Sequence, residues 1–173
     1  YVSNSYDCND SSALDNPAAT ETCGDARDND CDSQVDEENA SGCTTYYYDY
    51  DGDGYGTSSR ASRCYCAPTG YYTSTLNTDC YDSNAAANPG ASTYQTVNRG
   101  DNSFDYNCDG SQTKRYTATY TCTGAVYICV SNTDGYTGSV PSCGNASTWG
   151  SGCTASLTSC TYSSTASRTQ ACR

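Results

Sequence analysis

The segment Asp49-Tyr50-Asp51-Gly52-Asp53-Gly54-Tyr55-Gly56 puts a carboxylate at every second position and then a glycine. Alternate positions of a tightly curled loop aim their oxygens at one centre, which suits a hard cation such as calcium with its about six to eight oxygen ligands. Gly54 permits the sharp bend, and the Tyr55 carbonyl can add a ligand, as in the front half of an EF-hand-type loop. The back half departs from that pattern: Arg60 stands at the twelfth position, where a bidentate Glu would sit. Further ligands must then come from elsewhere in the chain. A second loop carries Asp28, Asp30, Asp32, Gln34 and Asp36 at loop positions one, three, five, seven and nine, with Ser33 in place of the glycine and Glu37 and Glu38 as spare acids. A third carries Asp105, Asn107, Asp109 and Ser111, with Gly110 at the bend. Asp, Asn and Gly also favour turns that hold no metal. Acids at alternate positions repel one another when empty, however, and a divalent ion removes that cost.

The parts that position these loops are repeated. Asp7 to Ala19 aligns with Asp79 to Ala91, eight of the thirteen positions being identical, and Asp28 to Asp32 aligns with Asp105 to Asp109. Each copy begins with Asp-Cys-x-Asp, at Asp7 and Asp10 and again at Asp79 and Asp82. Co-repetition predicts that Asp7 and Asp10 complete the 28–37 site, that Asp79 and Asp82 complete the 105–111 site, and that Cys8 with Cys31 and Cys80 with Cys108 hold the two parts of each copy together. Internal repetition of this kind marks tandem modules.

Fourteen Cys in 173 residues imply a disulfide framework and therefore an oxidising, extracellular compartment. The chain begins at Tyr1 with neither Met nor an apolar leader, and is expected to be a processed mature form. An even number of Cys falls within each of 1–43, 44–110 and 111–173, which predicts pairing inside those blocks. Large aliphatics are scarce while Tyr occurs 18 times, so disulfides and tyrosine rings must replace an aliphatic core. Regular structure is expected to be sparse: one helical turn at most before each Asn-Pro, a strand at 46–49, and a hairpin with strands over 116–122 and 125–130 turning at Thr123-Gly124. The rest of the C-terminal part reads as turns. The expected fold class is a small disulfide-rich, mostly irregular protein with short β-strands. Its organisation is a first metal-binding repeat (1–43), a second with the Asp-rich loop (44–115), and a Cys-rich β module (116–173).

Net charge is −12, and of the 20 acids only Asp134 lies beyond residue 110. Nucleic acid is disfavoured as a partner, since phosphate binding needs a basic face. No apolar run approaches the about 20 residues of a membrane span. Zinc and copper favour His and thiolate, whereas this chain has no His or Met and its Cys are expected to be oxidised. Without His, with Lys114 as the only Lys, and with its acids in metal-loop spacing, the chain offers no catalytic constellation and is expected not to be an enzyme.

Asp-Cys-x-Asp, then Asn-Pro, then Asp-Asn-Asp-Cys-Asp resembles the metal-binding-motif repeats of secreted bacterial proteins, the myxobacterial and MopE-type repeats. Asp7 to Asp10, Asn16 to Ala19 and Asp28 to Glu37 carry the likeness, which recurs in Asp79 to Asp82, Asn88 to Ala91 and Asp105 to Gly110. The loop at 49–56 is similar to thrombospondin type 3 and dockerin calcium loops. The resemblance implies a secreted repeat that holds calcium, here two or three ions, on bacterial surface or extracellular proteins. The expected role is a calcium-stabilised structural subunit of an extracellular filament or surface assembly, self-associating into a polymer. The alternatives are an adhesion module that binds glycan through Tyr and Trp149, and metal scavenging. Sequons at Asn9, Asn39 and Asn145 mark candidate glycoprotein sites.

Overall fold

A computed structural model describes residues 6–125 and 128–173. Among these there is no helix, and therefore none long and apolar enough to cross a membrane. Short strands in small sheets are joined by turns, and no free cysteine remains. The chain divides into two compact units, 1–88 and 89–173.

The first unit is built on a three-stranded antiparallel sheet in the order β2-β1-β3, from Thr44–Tyr48 (β1), Arg63–Tyr65 (β2) and Tyr72–Ser74 (β3). β1 is the strand expected near residues 46–49. Its Thr and Tyr residues suit a half-buried pleated surface, and Tyr48 pairs with Tyr72 while Thr45 pairs with Cys64. Cys43–Cys64 fastens β1 to β2, Cys23–Cys66 ties the first repeat to the same sheet, and Cys8–Cys31 closes the first repeat on itself. Two of these bonds cross the expected block boundary near residue 43. Parity is blind to this, because exchanging two partners between two even blocks leaves both even. Cys80 and Cys108 are likewise disulfide-bonded.

The second unit holds a hairpin of Cys122–Ala125 (β4) and Ile128–Ser131 (β5), and a sheet in the order β6-β7-β8 from Gly135–Tyr136, Ala146–Ala155 and Cys160–Thr169. The expected hairpin is shifted along the chain. Gly124 pairs with Cys129 inside the ladder and so does not turn the chain, and of 116–121 only Thr119 makes a bridge, to Tyr136. Val126 and Tyr127 of the expected return strand lie outside the described residues. The longest strands, β7 and β8, fall where turns were expected. Their Ser, Thr and Gly lack an apolar alternation, yet Thr is a good strand former, and cross-links supply what the pattern does not. Cys122–Cys153 and Cys129–Cys160 bolt the β4-β5 hairpin to β7 and β8, and Cys143–Cys172 anchors the C-terminus. These three bonds stay inside 111–173, as parity predicts.

The interior of this unit is aromatic. Tyr120, Tyr136, Gln170 and Cys172 are fully buried. Gln170 accepts a hydrogen bond from the Tyr136 hydroxyl (3.0 Å) and donates to the Tyr116 carbonyl (2.9 Å). Trp149 meets Tyr116 and Tyr136 edge-on, and the Arg168 guanidinium lies 4.0 Å from the Trp149 ring centre. Gly150 sits under Tyr120, whose ring a Cβ at that position would meet at 2.7 Å.

Candidate metal centre

All three loops adopt one backbone form. Loop positions four and six have positive φ in each: Gly52 and Gly54 (76° and 91°), Cys31 and Ser33 (62° and 76°), and Cys108 and Gly110 (56° and 82°). Gly relieves the steric cost of that conformation. Ser33 and the two cysteines accept it, with disulfides and the surrounding hydrogen bonds holding them there. The first Asp of each loop accepts backbone amides across the bend. Asp28 takes those of Asp32 and Ser33 (both 3.0 Å), Asp105 those of Asp109 and Gly110 (3.2 and 3.0 Å), and Asp49 those of Gly52 and Gly54 (2.8 and 3.2 Å). The fifth residue bonds the amide of the seventh in every case: Asp32 to Gln34, Asp53 to Tyr55 and Asp109 to Ser111, each at 2.8 Å.

The Asp-rich loop leaves β1 and folds back against residues 74–82. The Ser74 hydroxyl donates to the Gly54 carbonyl (2.7 Å), the Gly56 amide donates to the Leu76 carbonyl (2.8 Å), and the Asp79 amide donates to the Gly56 carbonyl (3.0 Å). Gly56 is required for this approach, since a Cβ there would lie 2.6 Å from Tyr47 Cβ and 2.9 Å from the Leu76 carbonyl oxygen. The closure delivers Asp82 to the loop. Asp49, Asp51 and Asp82 each place a carboxylate oxygen within 4.8 Å of the others, and Asp82 Oδ1 accepts the Tyr50 amide at 2.6 Å. The Thr73 hydroxyl donates to Asp49 (3.1 Å), and the Asn88 amide donates to Asp53 (2.9 Å). Both Asp51 oxygens and Asp79 Oδ2 are buried without a hydrogen-bond partner. Burial, then the carboxylates of Asp53 and Asp82, pushes the Asp51 carboxyl up. Burial, with Asp53, Asp51 and Asp82 behind it, pushes Asp79 up to about 6. Burial and repulsion from Asp49 and Asp53 raise Asp82 as well. A buried carboxylate oxygen with neither donor nor cation is costly, and a divalent ion here would supply what the Asp51 oxygens and Asp79 Oδ2 lack.

In the first repeat two clusters share Asp30: Asp28, Asp30 and Asp32, and Glu21, Asp30 and Glu37. Glu21 is buried and accepts the amides of Asn29, Asp30 (3.1 Å) and Asp36 (3.3 Å). Glu37 Oε2 is buried without a partner, and burial followed by repulsion from Glu21, Asp30 and Asp32 pushes this carboxyl up. Gln34 is exposed and bonded to Asp32, and Asp36 accepts the Gly24 amide at 2.6 Å. In the third loop Asn107 Oδ1 is buried without a partner, while its amide donates to Asp109 (2.6 Å).

The start of each repeat behaves differently from the expectation. Cys8–Cys31 does join the start of the first repeat to its loop, but Asp7 accepts only the Asn9 amide (2.9 Å) among the hydrogen bonds seen, and Asp10 is exposed. The buried acid there is Asp15. Burial pushes its carboxyl up, yet hydrogen bonds from Arg27, Asn9 and Asn29 outweigh that and hold it below the usual range. Arg27 already supplies the positive charge that a metal would bring. Asp79 and Asp82, expected to serve the 105–111 loop, have the 49–53 loop for neighbours. Glu21 carries no motif in the sequence, and Asn88, though part of the repeated Asn-Pro step, was not expected beside the Asp-rich loop. Only the tertiary path brings them to the clusters.

Geometry and fold together give a small, disulfide-stabilised protein whose carboxylate clusters could hold a metal ion. Residues 7–37 and 79–112 both match the family described as "Putative metal-binding motif" and named for copper-binding MopE. The Asp-rich loop lies between the two matched segments. No curated protein and no solved structure matches the chain.

Proposed function

We propose that the chain is a secreted, calcium-binding structural protein, not an enzyme, whose two or three ions stiffen a subunit of an extracellular filament or surface assembly. One observation carries the calcium reading: each of the three loops keeps a buried oxygen with no donor, on Asp51 and Asp79, on Glu37 and on Asn107. The clusters of the first repeat and of the Asp-rich loop are carboxylates alone, which suits calcium over copper or zinc, and the cysteines that lie near acids are oxidised. Complete cysteine pairing fits an oxidising extracellular compartment. The assembly reading is supported by apolar side chains turned outward: Ile128 and Val130 alternate along β5 at 71% and 61% exposure. The test is calcium titration of the protein, with sizing and electron microscopy before and after EGTA. Two or three bound ions, and polymers that loosen on chelation, are expected. A compact monomer that binds no calcium and ignores EGTA overturns the proposal.

A further inference from the structure

Tyrosines of the first unit form an aromatic strip across the β2-β1-β3 sheet and its flanking loops. Tyr48 and Tyr50 stack at 6.4 Å with planes 5° apart, and Tyr71 leans on both at 5.3 Å. Tyr72 meets Tyr48 edge-on at 5.5 Å and Tyr65 at 5.9 Å. Two guanidinium groups lie on the strip, Arg60 at 4.2 Å from the Tyr48 ring centre and Arg63 at 5.5 Å from that of Tyr72. Core packing does not account for it, because Tyr50 and Tyr71 are 54% and 51% exposed. Tyr48 and Tyr50 also wall a cleft of about 550 Å³, which Ser59, Arg60, Asp82 and Ser83 line as well. That size falls within the roughly 300–1,000 Å³ typical of ligand clefts.

We propose that this cleft binds a neutral pyranose of a polysaccharide, with the tyrosine strip carrying further units of the same chain. A pyranose presents flat C–H faces and a rim of hydroxyls. Exposed tyrosine rings match the faces, and the Arg60 donors, the Ser59 and Ser83 hydroxyls and the Asp82 acceptor match the rim. Charge selects the ligand class. Residues 1–88 hold 16 acids against Arg27, Arg60 and Arg63, a field that repels anionic glycans. Asp82 also belongs to the carboxylate cluster and bonds the Tyr50 amide, so the rigidity of this wall, though not the cleft itself, rests on the calcium reading.

The test is calorimetry of the whole chain at millimolar calcium with hexasaccharides of β-1,4-glucose, β-1,4-mannose, β-1,4-xylose and α-1,4-glucose, and with hexagalacturonate as the anionic probe. One neutral series is expected to bind. Tyr50→Ala and Arg60→Ala should each weaken it at least tenfold at unchanged calcium stoichiometry, and Tyr50→Phe should retain it. Absence of binding by every neutral series, preference for hexagalacturonate, or binding untouched by Tyr50→Ala overturns the proposal. So does a Tyr50→Ala variant altered only in self-association, which would make the strip a protein interface. Sugar binding by a chain that takes up no calcium keeps this proposal and overturns the metal reading instead.

Discussion

Residues 6–88 bury Asp15, Glu21, Asp49 and Asp79, each 5% exposed or less, alongside nothing larger and apolar than Ala40 and Ala87. Residues 89–173 bury Tyr106, Tyr120, Tyr136 and Cys172. One unit has an interior of carboxylates, the other an interior of rings and sulfur. Among the described residues both lack the aliphatic core that a chain of this length would normally build. Aromatic rings and disulfides stabilise without any added species, because their apolar surface leaves water and their cross-links restrict the unfolded chain. Buried carboxylates stabilise only where hydrogen-bond donors or a counter-charge satisfy them. Asp15 has Arg27 for that purpose, while Asp51, Asp79 and Glu37 have no such cation and are raised in pKa. The stability of the first unit is therefore conditional on solution conditions in a way that the aromatic core is not.

The contrast breaks most sharply at the disulfides. Replacing Cys129 and Cys160 together by Ser frees β5 from β8 and should cost the second unit about 2–4 kcal/mol. Trp149, the only Trp, reports this unit by fluorescence during urea unfolding, and calcium affinity should not change. Chelation is the complementary perturbation. With sites of roughly 10⁻⁴–10⁻³ M affinity, removing about 10 mM calcium should withdraw about 1.4–2.7 kcal/mol per site. Hydrogen exchange should then accelerate over 28–37, 49–57 and 79–82 while the β7 and β8 amides keep their protection. Equal acceleration in β7 and β8 would show that the two interiors are not independent.

The smallest effect is in pH and has opposite signs with and without metal. The Asp79 carboxyl is raised from 3.8 to about 6, so folding disfavours its charged form. In EGTA this group penalises the fold above about pH 6, and the penalty is relieved as pH falls from about 6 towards 4. With calcium bound, protons compete with the ion, and affinity should fall through the same window. Thermal melts of chelated and calcium-loaded protein at pH 7.5 and 5 should therefore move in opposite directions. A first unit that melts higher at pH 7.5 in both states would remove Asp79 from the site.

Loop chemistry was legible in the residues themselves. Alternating acids followed by a small residue specify the bend at 28–33, 49–54 and 105–110, since the first Asp caps the amides of its own loop and needs nothing distant to do so. The absence of an aliphatic core, the oxidised cysteines and the disulfide-rich, mostly irregular fold class follow from composition in the same way. Completion of the sites does not. Asp82 reaches Asp51 because Gly56 admits the chain beside Leu76 and Asp79, and Glu21 reaches Asp30 and Glu37 through a path no local pattern encodes. Disulfide partners across residue 43, and the long β7-β8 hairpin written in Ser, Thr and Gly, were settled likewise by contacts remote in sequence. A loop's own hydrogen bonds depend on neighbours a few residues away and can be read locally. Ligand sets, cross-links and polar strands depend on which distant segments share a small volume, and only tertiary structure decides that.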